Sequence, residues 1–181
     1  YLAQTYLQYY LADVVRSFQA LGRTLTEAPF QAVALLGLLI SLGAALASVP
    51  AGRASDRLGR KPLIYLSGAG LGLLMPFLLL FPRYDLLLAL ALVFGLFYGV
   101  YLAVDWALVA DVLKDPEAHA TDMGLWQTAI VVPQVLAGAF GRPLDLLNAQ
   151  TPGLGYQVLY LLAALFFLLG AFGVAGVRRS R

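Results

Sequence analysis

Long apolar runs alternate with short polar segments along this chain of 181 residues. A helix needs about 20 apolar residues to cross a hydrocarbon core of about 30 Å. Six runs approach that length and are bounded by charged residues, prolines or glycines. The pattern predicts an all-α membrane protein with six transmembrane helices, over residues 1–15, 29–49, 62–81, 86–112, 116–143 and 156–177.

The first predicted span is unusually polar. Gln4 and Gln8 are one helical turn apart, so they place hydrogen-bonding groups on one stripe of the helix. We expect this stripe to face water or protein rather than lipid, and we take both residues as candidates for a solute pathway. Residues 16–27 follow as a polar connection.

Small residues and prolines predict how the spans pack. Gly95 and Gly99 have the spacing that lets two helices approach closely, and Gly68, Gly70 and Gly72 give the third span a similar small face. Pro76 and Pro133 are expected to bend their helices.

The composition agrees with a membrane location. Apolar residues make up 61% of the chain, charged residues 12%, and the mean hydropathy is +0.80. A soluble domain has about twice that share of charged residues. The net charge of +2 does not indicate a nucleic-acid partner, because the basic residues lie at the ends of spans.

The sequence gives little support for catalysis or metal binding. The chain has no cysteine and one histidine, which argues against a metal site. No nucleophile with a base and no phosphate-binding glycine loop stand out. We therefore expect neither an enzyme nor a bound cofactor.

Residues 52–62 read GRASDRLGRKP and join the second and third predicted spans. They match the pattern GxxxDRxGR[KR] at Gly52, Asp56, Arg57, Gly59, Arg60 and Lys61. This stretch resembles the loop signature of the major facilitator superfamily of secondary transporters. The resemblance implies a conformational latch, in which Asp56 sits against a helix N-terminus of the opposite half while Arg57 and Arg60 hold it.

The distribution of charge predicts the orientation of the spans. With six spans, one side collects eight of the twelve Lys and Arg residues, including those of the signature and of the C-terminal tail. By the positive-inside rule that side is cytoplasmic, as are both termini of this chain. We expect a multi-pass protein of the cell inner membrane.

Six spans with the signature after the second resemble one half of a twelve-span facilitator. The chain begins inside an apolar run and ends on a basic tail, so we expect the C-terminal six-helix half, with the N-terminal half absent. The expected partners are the lipid bilayer, the missing half or a second copy, and a small solute with H⁺ or Na⁺.

The fourth span carries a candidate pathway. Tyr98, Tyr101 and Asp105 share one face, and Trp106 lies beside them. An ionisable residue inside a span usually faces the protein interior or an aqueous cavity, which makes Asp105 a candidate contact for a substrate or a coupling ion. A structural role, bonding a neighbouring helix end, stays open. His119 and Asp122 lie one helical turn apart. They could relay a proton, or they could simply cap the helix.

Residues 101–113, YLAVDWALVADVL, and residues 120–144, ATDMGLWQTAIVVPQVLAGAFGRPL, resemble the tenth and eleventh spans of sugar-type facilitators. The resemblance implies a sugar or glycoside carried with H⁺ or Na⁺. In the fifth span, Trp126, Gln127 and Gln134 are further candidate contacts, and for each of them plain bonding between helices stays open. Two alternatives remain. One is a proton-coupled exporter of drugs or metabolites, and the other is a non-transporting membrane subunit or degenerate half-transporter.

Overall fold

The computed structural model of the chain describes residues 2–112 and 119–173. In chain order its elements are α1 (Leu2–Thr5), α2 (Leu7–Tyr10), a π-helical turn (Leu11–Val15), β1 (Phe18–Ala20), β2 (Arg23–Thr26), α3 (Pro29–Leu58), α4 (Arg60–Leu80), α5 (Tyr84–Val112), α6 (His119–Gly138), α7 (Gly141–Gln150) and α8 (Leu154–Gly173). The predicted start of the fifth span at Pro116, the last residues of the sixth span and the basic tail lie outside the described residues.

Five helical stretches in the described part of the chain are long and apolar enough to cross a membrane. They are Pro29–Leu58, Arg60–Leu80, Tyr84–Ala107, Ala120–Gln150 and Leu154–Gly173. Their outer faces carry large apolar side chains; Leu38, Leu66 and Leu73, for example, are 62%, 59% and 63% exposed. Contiguous apolar surface of this kind is rare on soluble monomers and suits contact with lipid. These helices agree with the predicted helical, multi-pass membrane protein, although the described residues contain five such stretches where six spans were predicted.

The prediction that the first span is a single helix is wrong. Within residues 2–15 the backbone forms α1, α2 and the π-helical turn, with an interruption at Tyr6, whose φ is −103° and ψ 4°. The segment ends at Arg16 in the left-handed region, with φ 60°. Tyrosine, threonine and valine are only moderate helix formers, so tertiary contacts can override helical regularity here.

The predicted polar connection that follows contains a β-hairpin. Strands β1 and β2 pair antiparallel, and both turn residues, Leu21 and Gly22, have positive φ. Such a turn matches the twist of the two strands. Phe18 packs edge-on against Tyr84 with ring centroids 5.3 Å apart. The hairpin therefore covers one end of the bundle, which we call the hairpin end; it also carries the turns at residues 81–83 and 151–153.

Helix α3 is nine residues longer than its predicted span, because residues 50–58 continue the helix. The signature, predicted as a loop, is thus mostly helical. Only Gly59 turns the chain, with φ 87° and ψ 163°, a conformation that a residue with a Cβ rarely adopts. At 1.5 Å per residue, α3 is about 45 Å long, so it extends beyond a hydrocarbon core of about 30 Å. We call this end of the bundle the signature end.

The prediction that the fifth span is one continuous helix is also wrong. Helix α6 ends at Gly138 and α7 starts at Gly141. Pro143 explains the break, since its ring lacks an N–H and collides with the carbonyl four residues earlier, at Ala139. The predicted bend at Pro133 does not interrupt α6, and α4 likewise continues through Pro76.

Helices α4, α5 and α8 each begin two residues before their predicted start. Small residues bring them close to their neighbours, as predicted. A Cβ added at Gly95 or Gly99 of α5 would overlap the backbone of Ile40 or Ala44 of α3. Gly68 of α4 similarly lies against Ala171 of α8. The backbones of α3 and α5 therefore touch directly, which orients α5 about its own axis.

Substituting Gly95 by Ala should destabilise the protein by about 1–3 kcal/mol, because the new methyl group must displace the backbone of α3. Gly37→Ala is the matched control. It adds the same group to α3 where nothing lies within 4 Å, and alanine is the better helix former. Thermal unfolding in detergent should give a lower Tm for Gly95→Ala and an unchanged or higher Tm for Gly37→Ala. Equal Tm values for the two variants would contradict the close α3–α5 contact.

Candidate functional site

Three polar residues in the second half of α5 lie along one side of the helix. Phe94 and Tyr98 stack with ring centroids 6.1 Å apart, and Tyr98 and Tyr101 stack at 6.4 Å. Asp105 continues this row one turn after Tyr101. Tyr98, Tyr101 and Asp105 are all half-buried. We call these three residues the α5 row.

The packing of α5 on α3 determines where this row points. Gly95 and Gly99 define the side of α5 that meets α3. At 100° per residue, Tyr98 and Asp105 lie about 60–80° around the helix from Gly95. The row therefore flanks the α3 contact. On the same side Phe94 meets Phe167 of α8, with centroids 6.3 Å apart.

A pair of tryptophans links α5 to α6. The rings of Trp106 and Trp126 meet edge to face, with centroids 4.6 Å apart. Trp106 remains 54% exposed, whereas Trp126 is half-buried. Sequence reasoning selected both residues but did not foresee their contact, because it joins two helices whose relative rotation no local pattern reveals.

The other candidate residues on α6 face outward. Gln127 and Gln134 are seven residues apart, hence on one stripe of the helix, and both are exposed. Gln4 and Gln8, on α1 and α2, are exposed as well. The structure thus forms two separate ring pairs, Tyr98 with Tyr101 and Trp106 with Trp126. It leaves the four glutamines on the surface.

Two further candidates are only partly described. Asp122 is half-buried in the first turn of α6, while the side chain of His119 lies outside the described part, as does that of Asp111. Within residues 2–112 and 119–173, no three His, Cys, Asp or Glu residues come together as a group that could hold a metal ion.

The signature forms a compact turn at the signature end. The Arg60 guanidinium donates from Nη1 to Ser55 Oγ at 3.0 Å and lies 3.5 Å from Asp56 Oδ1. Ser55 Oγ in turn donates to the carbonyl of Gly52 at 2.8 Å. Arg60 therefore folds back over the last turn of α3, where a cation also complements the negative end of the helix dipole.

The two charges of this pair are not equally accessible. The Arg60 side chain is only 16% exposed, whereas that of Asp56 is 71% exposed. Arg57 is exposed and Lys61 half-buried. The Asp56 carboxylate is thus presented outward, with Arg60 beneath it as a fixed counter-charge.

A family model of the Major Facilitator Superfamily matches residues 2–180, nearly the entire chain. The chain belongs to the Major Facilitator Superfamily. Members of this family are generally membrane transporters rather than enzymes, so the expected integral, multi-pass transport protein is confirmed at that level. No curated protein and no solved structure matches the chain.

Ser55 is a residue of the facilitator signature that sequence reasoning passed over. It is 2% exposed and connects Arg60 to the backbone of α3 at Gly52. The signal was available, because a serine one position before the aspartate in a helical signature can reach the carbonyl three residues earlier. It escaped notice because the segment was interpreted as a loop.

Arg60→Gln should lower the stability of this facilitator by about 1 kcal/mol, since a hydrogen-bonded, largely covered cation is lost. Arg57→Gln, which removes an exposed charge from the same turn, should have little effect. Thermal unfolding of both variants in one detergent would measure the difference. A Tm loss for Arg57→Gln as large as that for Arg60→Gln would show that Arg60 has no special role in the turn.

Proposed function

We propose that this facilitator is a secondary active transporter that moves a small polar solute by alternating access, with the α5 row on the solute pathway. The observation that carries the proposal is the half-buried carboxyl group of Asp105, one turn beyond two stacked tyrosines in a membrane span. A sugar or glycoside, carried with H⁺ or Na⁺, fits this row best.

The energetics of the membrane favour this role for Asp105. Asp105 lies near the signature end of the span Tyr84–Ala107. A carboxylate costs about 2.5–3.5 kcal/mol at the centre of a span, and one within a span usually faces a polar cavity or a partner. Tyrosine hydroxyls next to it can donate and accept hydrogen bonds, and the flat ring faces suit a pyranose ring. A carboxylate can also hold a proton or a sodium ion close to the solute.

In this proposal, α5 forms one wall of the solute site and α6 forms the other. Trp126 contacts Trp106 of α5, and the stripe with Gln127 and Gln134 adjoins it. Amide groups pair well with the hydroxyl groups of a polyol, whereas they are poorly placed against lipid. We therefore place the solute between α5 and α6.

Alternating access requires a second bundle that rocks against this one around the central site. We propose either a second six-helix half or a second copy of this chain in that role. The exposed glutamine stripe of α6 supports this arrangement, because a protein partner or an aqueous cavity would cover it better than lipid.

The signature end is proposed to be cytoplasmic and to act as the latch of the transport cycle. Eight of the twelve basic residues fall on that side if six spans cross the membrane, in keeping with the positive-inside rule. The exposed Asp56 carboxylate would meet the positive N-terminal end of a helix in the partner bundle, an interaction of about 0.3–1 kcal/mol at an exposed site.

The α5 row and the tryptophan pair support a second candidate function, export of lipophilic cations. Stacked tyrosines, two tryptophans and a carboxylate also match the requirements of an organic cation, through cation–π and charge contacts. The two candidates differ in cargo and direction, so one experiment separates them.

Asp105→Asn should reduce gradient-driven uptake of a radiolabelled sugar or glycoside into proteoliposomes by about tenfold, since a charged contact is replaced by a neutral one. Asp85→Asn is the matched control on the same helix, because the carboxylate of Asp85 pairs with Arg83 at the hairpin end. Unimpaired uptake by folded Asp105→Asn protein would remove Asp105 from the pathway. Expulsion of tetraphenylphosphonium without any sugar uptake would establish the exporter function instead.

Asp56→Asn should weaken closure of the signature end, because a neutral amide is attracted less strongly by a helix N-terminus. The rate at which a cysteine placed at Ala54 reacts with a membrane-impermeant maleimide should rise about threefold. Glu27→Gln, at the opposite end, is the control. Identical labelling rates in the Asp56 variant and the unsubstituted protein would exclude the latch.

A further inference from the structure

The break between α6 and α7 lies beside a tyrosine that is distant in sequence. The hydroxyl group of Tyr6 donates to the carbonyls of Ala137 and Gly138, at 3.0 and 3.2 Å. The residue is only 7% exposed. A Cβ at Gly141, the first residue of α7, would lie 3.4 Å from this hydroxyl oxygen, so the glycine leaves room for it.

The backbone at the break explains why an external donor is needed. Ala139 and Phe140 donate to the carbonyls of Leu136 and Ala137, at 3.0 and 3.2 Å, which tightens the end of α6 into a turn. In a continuous helix the carbonyl of Gly138 would instead accept from the N–H of residue 142. The Tyr6 hydroxyl takes the place of that donor at a point where lipid offers none.

Helix α6 has few other attachments. Among its described residues only Ala137, the acceptor for Tyr6, is buried. Trp126 makes the ring contact with Trp106 nearer the other end of α6. Two ties at separate points therefore define the direction of the helix, and Tyr6 forms the one at the break.

We infer that Tyr6 is a positioning residue whose hydroxyl holds the α6–α7 break and thereby fixes the direction of α6, the wall that carries Trp126 against Trp106 of α5. The consequence for transport rests on the proposed function. The placement of α6 does not rest on the proposed function, and it can be measured separately.

The test is a distance measurement between spin labels at Leu125 of α6 and Leu73 of α4, two exposed positions on the purified protein. Tyr6→Phe removes the hydroxyl and keeps the ring. Tyr9→Phe is the matched control, since Tyr9 is 60% exposed and its ring lies 6.4 Å from that of Tyr6. We expect a broader or shifted distance distribution for Tyr6→Phe alone. Superimposable distributions for both variants and the unsubstituted protein would overturn the inference.

Transport kinetics give a second readout. A misdirected wall weakens solute binding, so Tyr6→Phe should raise KM about fivefold with kcat retained, whereas a loss of folded protein lowers the apparent kcat. An unchanged KM in a variant with a shifted distance would overturn the link to the site. If no form of the protein transports any solute, the proposed function fails and the distance result alone decides the role of Tyr6.

The unsubstituted protein provides the test if Tyr6→Phe does not fold. A helix held at the break should give a single narrow distance between the two labels. A broad distribution in the unsubstituted protein would overturn the inference, since α6 would then not be held.

Discussion

A membrane interior offers no water to a backbone group that has lost its helical partner, and each unpaired group there costs several kcal/mol. Long helices such as α3 and α5 satisfy this constraint within themselves. The interrupted segments do not, and in this chain tyrosine hydroxyls compensate for them. Tyr6 bonds the carbonyls at the end of α6, and Tyr10 bonds the carbonyl of Leu78 in the last turn of α4. The tyrosines at the hairpin end therefore act as hydrogen-bond donors for helix ends.

Tyrosines also form much of the core at that end. Tyr10, Tyr84 and Tyr160 are almost completely buried, and Tyr10 meets Tyr160 edge to face with centroids 5.1 Å apart. Tyr156 adds a hydrogen bond to Asp13, which ties the first segment to α8. In the described part of the chain, the hydroxyl of Tyr160 is the buried side-chain polar atom left without a hydrogen-bond partner. Its ring contacts offset part of that burial cost.

The sequence predicts the long apolar helices well and the interruptions poorly. Span length and the GxxxG spacing of Gly95 and Gly99 are local signals, so α4, α5 and α8 are found to within two residues at their starts. The hydrogen bonds that satisfy the break near Ala139 join residues more than 130 positions apart, such as Tyr6 with Ala137, so no local pattern reveals them. Pro143 did carry a local signal for the second break, but it was interpreted as the end of a span.

For the candidate site, the face shared by Tyr98, Tyr101 and Asp105 followed from helical periodicity alone. The side of the bundle toward which this face points could not be predicted, because it depends on how α5 packs on α3. The signature presents a similar case. Its residues are recognisable from the sequence. The helical course of residues 52–58 and the hydrogen bond of Ser55 are not, because Gly59 alone makes the turn that the pattern predicts as a longer loop.

Two kinds of helix packing occur in this bundle. Helices α3 and α5 touch along their backbones at Gly43, Gly95 and Gly99, and interfaces this tight resist gradual deformation. The α5 row is therefore carried on a rigid pair and keeps its geometry. Helix α6 has few buried contacts, so its position depends on the Tyr6 hydroxyl at one end and on the ring of Trp106 near the other. In the proposed function, the α5 row is the fixed side of the solute site, and the Tyr6 contact decides how the second side is placed against it.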